Sequence, residues 1–209
     1  MALAAASTWR LPDVAATSPE TLGLAMLQAD PHAWRLDHQT QRAAVSDALA
    51  DGTIEAASLR IRFADLSPER IACALGVPVE TTEADPMVGS LWRFAEYRPR
   101  PPRIVLYSRG LRPLECSARA APLLGRATPR DVFIAHELYH HIEAVRPEVP
   151  IARRYRPSVF RIGTWHWRTG IAVLAEIAAG AFAQSLLDLP CHPKVLDFVA
   201  LEAIAATAN

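Results

Sequence analysis

Thr128-Pro129-Arg130-Asp131-Val132-Phe133-Ile134-Ala135-His136-Glu137-Leu138-Tyr139-His140-His141-Ile142 reads as one helix, and His136 to His140 within it has the form HExxH. Thr128 suits the N-cap, and Pro129 suits the first helical position, where its missing N–H costs nothing. Asp131 falls in the first turn, where a negative charge suits the helix dipole. Phe133, Ile134, Leu138 and Ile142 give the helix an apolar side, and Pro147 ends it. His136 and His140, four residues apart, project from one face and can hold one metal ion. Glu137 beside them can serve as a base toward a water molecule. The alternative is a pair of satisfied core or surface histidines.

Two histidines do not complete a zinc site, which in hydrolases takes three protein ligands. Glu176 is the expected third. It is the only charge in the run from Thr169 to Leu187, and a lone carboxylate among apolar residues needs a partner. Ala172, Ala179, Gly180 and Ala183 share its face, and their small side chains allow a close approach of the HExxH helix. The competing reading is an alanine-rich core helix whose Glu is bonded to something other than a metal. A membrane span is rejected: alanine is weakly hydrophobic, Glu176 sits mid-run, and Gln184 and Ser185 follow.

Further residues carry a family resemblance. Glu176, Ala179, Phe182, Ala183, Leu186, Leu187 and Pro190 resemble the second motif of the ImmA/IrrE metallopeptidases, approximately ExxANxFAxxLLxP, which follows an HELGH helix in that family. The stretch Ile71-Ala72-Cys73-Ala74-Leu75-Gly76-Val77-Pro78-Val79 is similar to the family's opening helix and strand, and Arg103-Ile104-Val105-Leu106-Tyr107 to the strand before the zinc helix. The likeness spans roughly residues 66 to 190. Three positions depart from it: Tyr139 stands where the family has Gly, Gly180 where it has Asn, and the final proline comes one residue late. The resemblance implies Zn²⁺ on His136, His140 and Glu176, Glu137 as general base, and a protein substrate of the transcriptional-repressor type. The rival expectations are a catalytically silent regulatory or binding protein that keeps the fold, and a zinc enzyme acting on a small molecule.

Composition narrows the classes. Lys+Arg and Asp+Glu balance at 22 each, so no global attraction to nucleic acid or an acidic membrane is implied. Three cysteines without a CxxC pair argue against a disulfide framework or a thiolate zinc site. The start lacks a basic n-region and a long apolar run, so a soluble cytoplasmic protein is expected.

Along the chain, residues 1 to 17 read as loose. Ser18-Pro19 opens a helix that stops near Asp30-Pro31. A second runs from His38 to Ala50 and ends at Asp51-Gly52, and Ser67-Pro68 starts a third, closed by Gly76. Strands are expected over Val79 to Glu83, Leu91 to Arg98 and Arg103 to Tyr107. A last helix starts at His192-Pro193 and docks through Val195, Leu196, Val199 and Leu201.

The expected fold is α+β: a small antiparallel sheet, the HExxH helix and a packed downstream helix, flanked by additional helices. Residues 1–65 form an N-terminal helical extension, and residues 66–209 the metallopeptidase-like domain. Direct nucleic-acid binding is not expected, because no second helix with exposed polar readers follows Leu66 to Val77. Residues 146 to 168, rich in Arg with Tyr155, Phe160, Trp165 and Trp167 between, read as a solvated loop, a substrate-side wall or a nucleic-acid surface. His166 and Tyr155 are candidates for a transition-state hydrogen bond, and Glu143 for supporting the ligands from behind or lying on the surface.

Overall fold

The computed structural model describes residues 15–162 and 165–207, with the backbone alone for 161, 162, 165, 166 and 207. The stretch expected to be loose lies largely outside the described residues. Helices α1 (Pro19–Gln28), α2 (His38–Arg62) and α3 (Pro68–Ala74) come first, with a 3-10 turn at Ala33–Arg35. Strands β1 (Val79–Thr82), β2 (Met87–Val88), β3 (Leu91–Trp92), β4 (Ala95–Pro99) and β5 (Pro102–Tyr107) follow. Then come α4 (Ser108–Glu115), α5 (Ala121–Leu124), α6 (Pro129–Val145) and α7 (Ile151–Arg154), the hairpin β6 (Ser158–Ile162) and β7 (Trp165–Arg168), α8 (Val173–Leu187) and α9 (Val195–Thr207).

The helix starts follow the local chemistry. Ser18 and Ser67 accept hydrogen bonds from the Thr21 and Arg70 N–H groups, each with proline in the first turn. At α6 the Thr128 hydroxyl accepts from Asp131 N–H at 3.1 Å, and the Asp131 carboxylate accepts from Thr128 N–H at 3.0 Å. This reciprocal capping box satisfies two otherwise orphaned donors. Gly76 closes the α3 turn at φ +78°, where a side chain would be strained.

The class is α+β, as the patterns imply. The main sheet has the order β1-β5-β4. β4 pairs antiparallel with β5 across a tight turn, but β1 pairs parallel with it, so the sheet is mixed rather than antiparallel. A parallel partner needs a long crossover, and here the β2–β3 ribbon and β4 supply it. The expected strand from Leu91 to Arg98 is divided accordingly into β3 and β4. Ile104 to Tyr107 of the central strand are buried, β4 is an edge, and α6 packs beneath β4 and β5.

The second helix does not stop at Asp51-Gly52; α2 continues to Arg62. A Cβ on Gly52 would sit 2.1 Å from the Ala178 carbonyl oxygen. This glycine therefore serves close helix–helix contact rather than termination. Ala44, Ala48, Gly52 and Ala56 recur every fourth residue and are all buried, forming the flat strip on which α8 lies. One core cluster joins Leu22 and Leu27 of α1, Ala44 and Val45 of α2, Leu138 of α6, Ile177 and Phe182 of α8 and Val199 of α9. The described part of residues 1–65 thus belongs to the same core as the rest. The reason is size: the alanine-rich α8 needs apolar cover on more sides than α6 alone provides.

Among the described residues the stretch 146 to 168 forms α7 and the β6–β7 hairpin, with Phe160 and Trp167 exposed, and two of its arginines are held in ion pairs. Arg146, 9 % exposed at its side chain, pairs with Asp51 and Glu55, and Arg154 pairs with Asp51. Tyr139 donates to Asp51 at 2.6 Å. The buried Asp51 carboxylate thereby ties α2, α6 and α7 together. At the chain's end, Val195, Leu196 and Val199 are buried as expected of a docking helix, with Leu201 half-buried. Among the described residues no helix is long and apolar enough to cross a membrane.

Candidate metal centre

Helix α6 places His136 and His140 one turn apart, with ring centroids 5.1 Å from each other. Helix α8 runs against α6 and brings Glu176 across from them. Glu176 Oε2 lies 3.2 Å from His136 Nε2, and Oε1 lies 3.5 Å from His140 Nε2. One ligand atom from each residue falls within a set spanning no more than 4.8 Å, so the group can hold a metal ion. The chemistry of the donors fits as well. Burial, and then the charge of His136, holds the His140 imidazole down at about 4, leaving it neutral near pH 7. Burial works against the Glu176 carboxylate, but the hydrogen bond and charge of His136, then the charge of His140, bring it to about 2. Burial also opposes protonation of His136, which Glu176 nonetheless raises. Two imidazole nitrogens and an ionised carboxylate suit a borderline cation such as Zn²⁺.

Glu137 lines the same cavity as His136 and Glu176 and is tied to the sheet by one oxygen. Its Oε2 accepts the Tyr97 N–H of edge strand β4 at 2.7 Å. Burial raises its pKa, partly offset by the charge of His136 and by the Tyr97 N–H. Tyr97 is held in turn: its hydroxyl pairs with Nδ1 of the buried His141 at 3.0 Å. The residue after His140 on α6 therefore reinforces the strand whose N–H holds Glu137.

Two of the three further candidates part company with this group. Glu143 accepts the Ile151 N–H at 2.8 Å and so caps α7. The Tyr155 hydroxyl donates to Asp47 on α2 at 2.7 Å, anchoring α7 rather than facing the triad. His166 falls on β7, and its side chain lies outside the described residues.

Three residues that sequence reasoning undervalued bear on the site. His192, read there as the start of the last helix, is buried against Gly180; a Cβ at Gly180 would meet its Cε1 at 2.1 Å. The small face of α8 at Gly180 therefore receives His192, not α6. Lys194 N–H donates to His192 Nδ1 at 3.2 Å, and burial pushes this histidine down to about 4. Asp51 was read as a helix stop, although the four-residue spacing of Ala44, Ala48, Gly52 and Ala56 signals a helix continuing through it. Tyr97 carried no signal, because its role depends on register with β5.

His136, Glu137 and Glu176 open on a cavity of about 400 Å³. Comparison of the chain with family models, with curated proteins and with solved structures returned no match.

Proposed function

We propose that this chain is a cytoplasmic zinc-dependent metallopeptidase-like hydrolase of the ImmA/IrrE type, acting on a peptide bond in a specific protein substrate. The carrying observation is the convergence of His136, His140 and Glu176 within 4.8 Å, with Glu137 beside them at the same cavity. His136, His140 and Glu176 would hold zinc, which would supply a Lewis acid and make a water acidic enough to attack near neutral pH. Glu137 would be the base that accepts the proton of the attacking water. The Tyr97 N–H occupies Oε2 and leaves Oε1 free for the task. The raised pKa of Glu137 suits a group that accepts a proton and then passes it to the leaving amine. β4 is the edge strand beside α6, and beyond the Tyr97 N–H, which Glu137 takes, an extended peptide can be laid along it by strand addition. The motif likeness points to a repressor-type regulator as that substrate.

Both main departures from the family pattern are filled by contacts of this chain. Tyr139 reaches Asp51, and Gly180 makes room for His192. Neither departure removes a group from the ligand set.

The test is metal content combined with cleavage. Purified protein is expected to hold about one zinc per chain, lost in His136→Ala, His140→Ala and Glu176→Ala. Glu137→Gln is expected to keep the metal and lose cleavage by about 10²–10⁴-fold. No uptake of added zinc, or a Glu137→Gln variant that cleaves like wild type, overturns the reading.

A further inference from the structure

The wall of the cavity beside the metal triad comes from an element outside the motif helices. Leu22, Ala25, Met26 and Ala29 of α1 line it, and their spacing of three, four and seven residues puts them on one stripe. The other side of α1 faces the core: Leu27 is fully buried, and a Cβ on Gly23 would lie 3.6 Å from Ile177. Helix α1 is therefore seated against the residue following Glu176, which sets its distance from the triad. Trp92 and Phe94 of the β3–β4 segment, with Phe133 and Phe198, line the cavity as well.

The charges on this wall, apart from the triad and Glu137, are taken. Lys194 pairs with Asp197 at 2.5 Å. Arg93 pairs with Glu96 at 3.3 Å and lies over the Tyr107 ring. A charged side chain entering the cavity would lose its hydration and, beyond the triad and Glu137 that the proposed reaction uses, find no free counter-charge among the described lining residues. An apolar one would gain by burial, and the volume accommodates a large one with room at the mouth.

We infer that α1 forms one wall of a specificity pocket that takes a large apolar side chain, aliphatic or aromatic, from the substrate residue flanking the scissile bond. This rests on the peptidase reading. Continuity with the triad selects that occupant: the cavity begins at His136 and Glu176, so a peptide laid at the metal places a flanking side chain in it.

The test has two arms. In the first, zinc-loaded full-length protein is given a peptide library, and the residues flanking each cleaved bond are read by mass spectrometry. Bonds flanked by Leu, Met or Phe are expected to be cut about 10–200-fold more efficiently than those flanked by Gly. Ala25→Trp, which fills the cavity from α1, is expected to erase that preference, and Met26→Ala, which enlarges it, to shift the preference toward Trp. In the second arm, metal-free protein is titrated with N-phenyl-1-naphthylamine, a neutral fluorescent hydrocarbon. Binding is expected in wild type and Met26→Ala, and loss in Ala25→Trp. Cleavage indifferent to the flanking residue, or probe binding absent from wild type or unchanged in Ala25→Trp, overturns the pocket. If no peptide is cut while the probe binds and Ala25→Trp expels it, the peptidase reading falls and the apolar site remains.

Discussion

Replacing Gly52 with alanine tests how the α2–α8 contact holds the metal centre together. The added Cβ would stand 2.1 Å from the Ala178 carbonyl oxygen and 2.8 Å from the Phe182 nitrogen. Both are backbone atoms, so no rotamer change relieves the clash. Restoring even a tight contact requires the helices to part by about 1 Å, and overpacking of this kind typically costs about 1–3 kcal/mol. Alanine returns about 1 kcal/mol through its better helix propensity. The clash wins, because it is rigid, and a net loss of up to about 2 kcal/mol is expected, or a fall in Tm of up to about 8 °C for a chain of this size. The displacement matters more than the energy. Glu176 lies two residues before Ala178 on α8, and metal sites tolerate ligand shifts of only about 0.2 Å. Zinc affinity is therefore expected to fall about 10–100-fold, comparable to losing a support behind the ligands. Urea unfolding gives the stability change, and competition with a chromophoric chelator gives the affinity. Thr53→Ala on the exposed side of the same helix, losing only a bond to the Leu49 carbonyl, is expected to stay within about 0.5 kcal/mol and to bind zinc normally. A Gly52→Ala protein with wild-type stability and zinc affinity would refute the reasoning.

Two further outcomes follow from the hydrogen bonds and ion pairs. Asp51→Ala leaves Arg146 and the Tyr139 hydroxyl buried without their carboxylate, so a loss of about 3–5 kcal/mol is expected in urea unfolding. Burial raises the Asp51 pKa, but Tyr139 and Arg146 outweigh it and leave the pKa below its ordinary value. A carboxylate depressed in the folded state stabilises above its unfolded pKa, so that contribution is expected to fade as pH drops below about 4. Asp51→Asn should flatten that acid limb, and an unchanged limb would contradict the assignment. Tyr155→Phe removes only the bond to Asp47 and should cost at most about 1.5 kcal/mol with unchanged zinc content; a kcat loss beyond tenfold would place Tyr155 among the reacting groups instead.

Much of the centre was legible in the chain because it is local. His136 and His140 share a face through helical geometry alone, and a capping box written within four residues starts that helix. Glu176 was legible for a different reason: it is the one charge in an apolar run, although its side chain proves 52 % exposed at the cavity, so burial alone does not force a partner on it. What could not be read were pairings across long separations. Tyr97 meets Glu137 only through the register of β4 on β5, and Asp51 meets Tyr139 only because two strips of small residues bring α2 onto α8. Gly52 shows the ambiguity at a single position. Glycine ends helices and also lets helices touch, and local sequence does not choose between them. The same holds for Arg146 and Arg154, which look solvated until Asp51 is found buried beside them. Helical period and capping thus determined where the ligands point, since both act within a few residues. The packing of α1, α2 and α9 decided what surrounds them, because apolar burial has no direction of its own and is resolved only when the whole core closes.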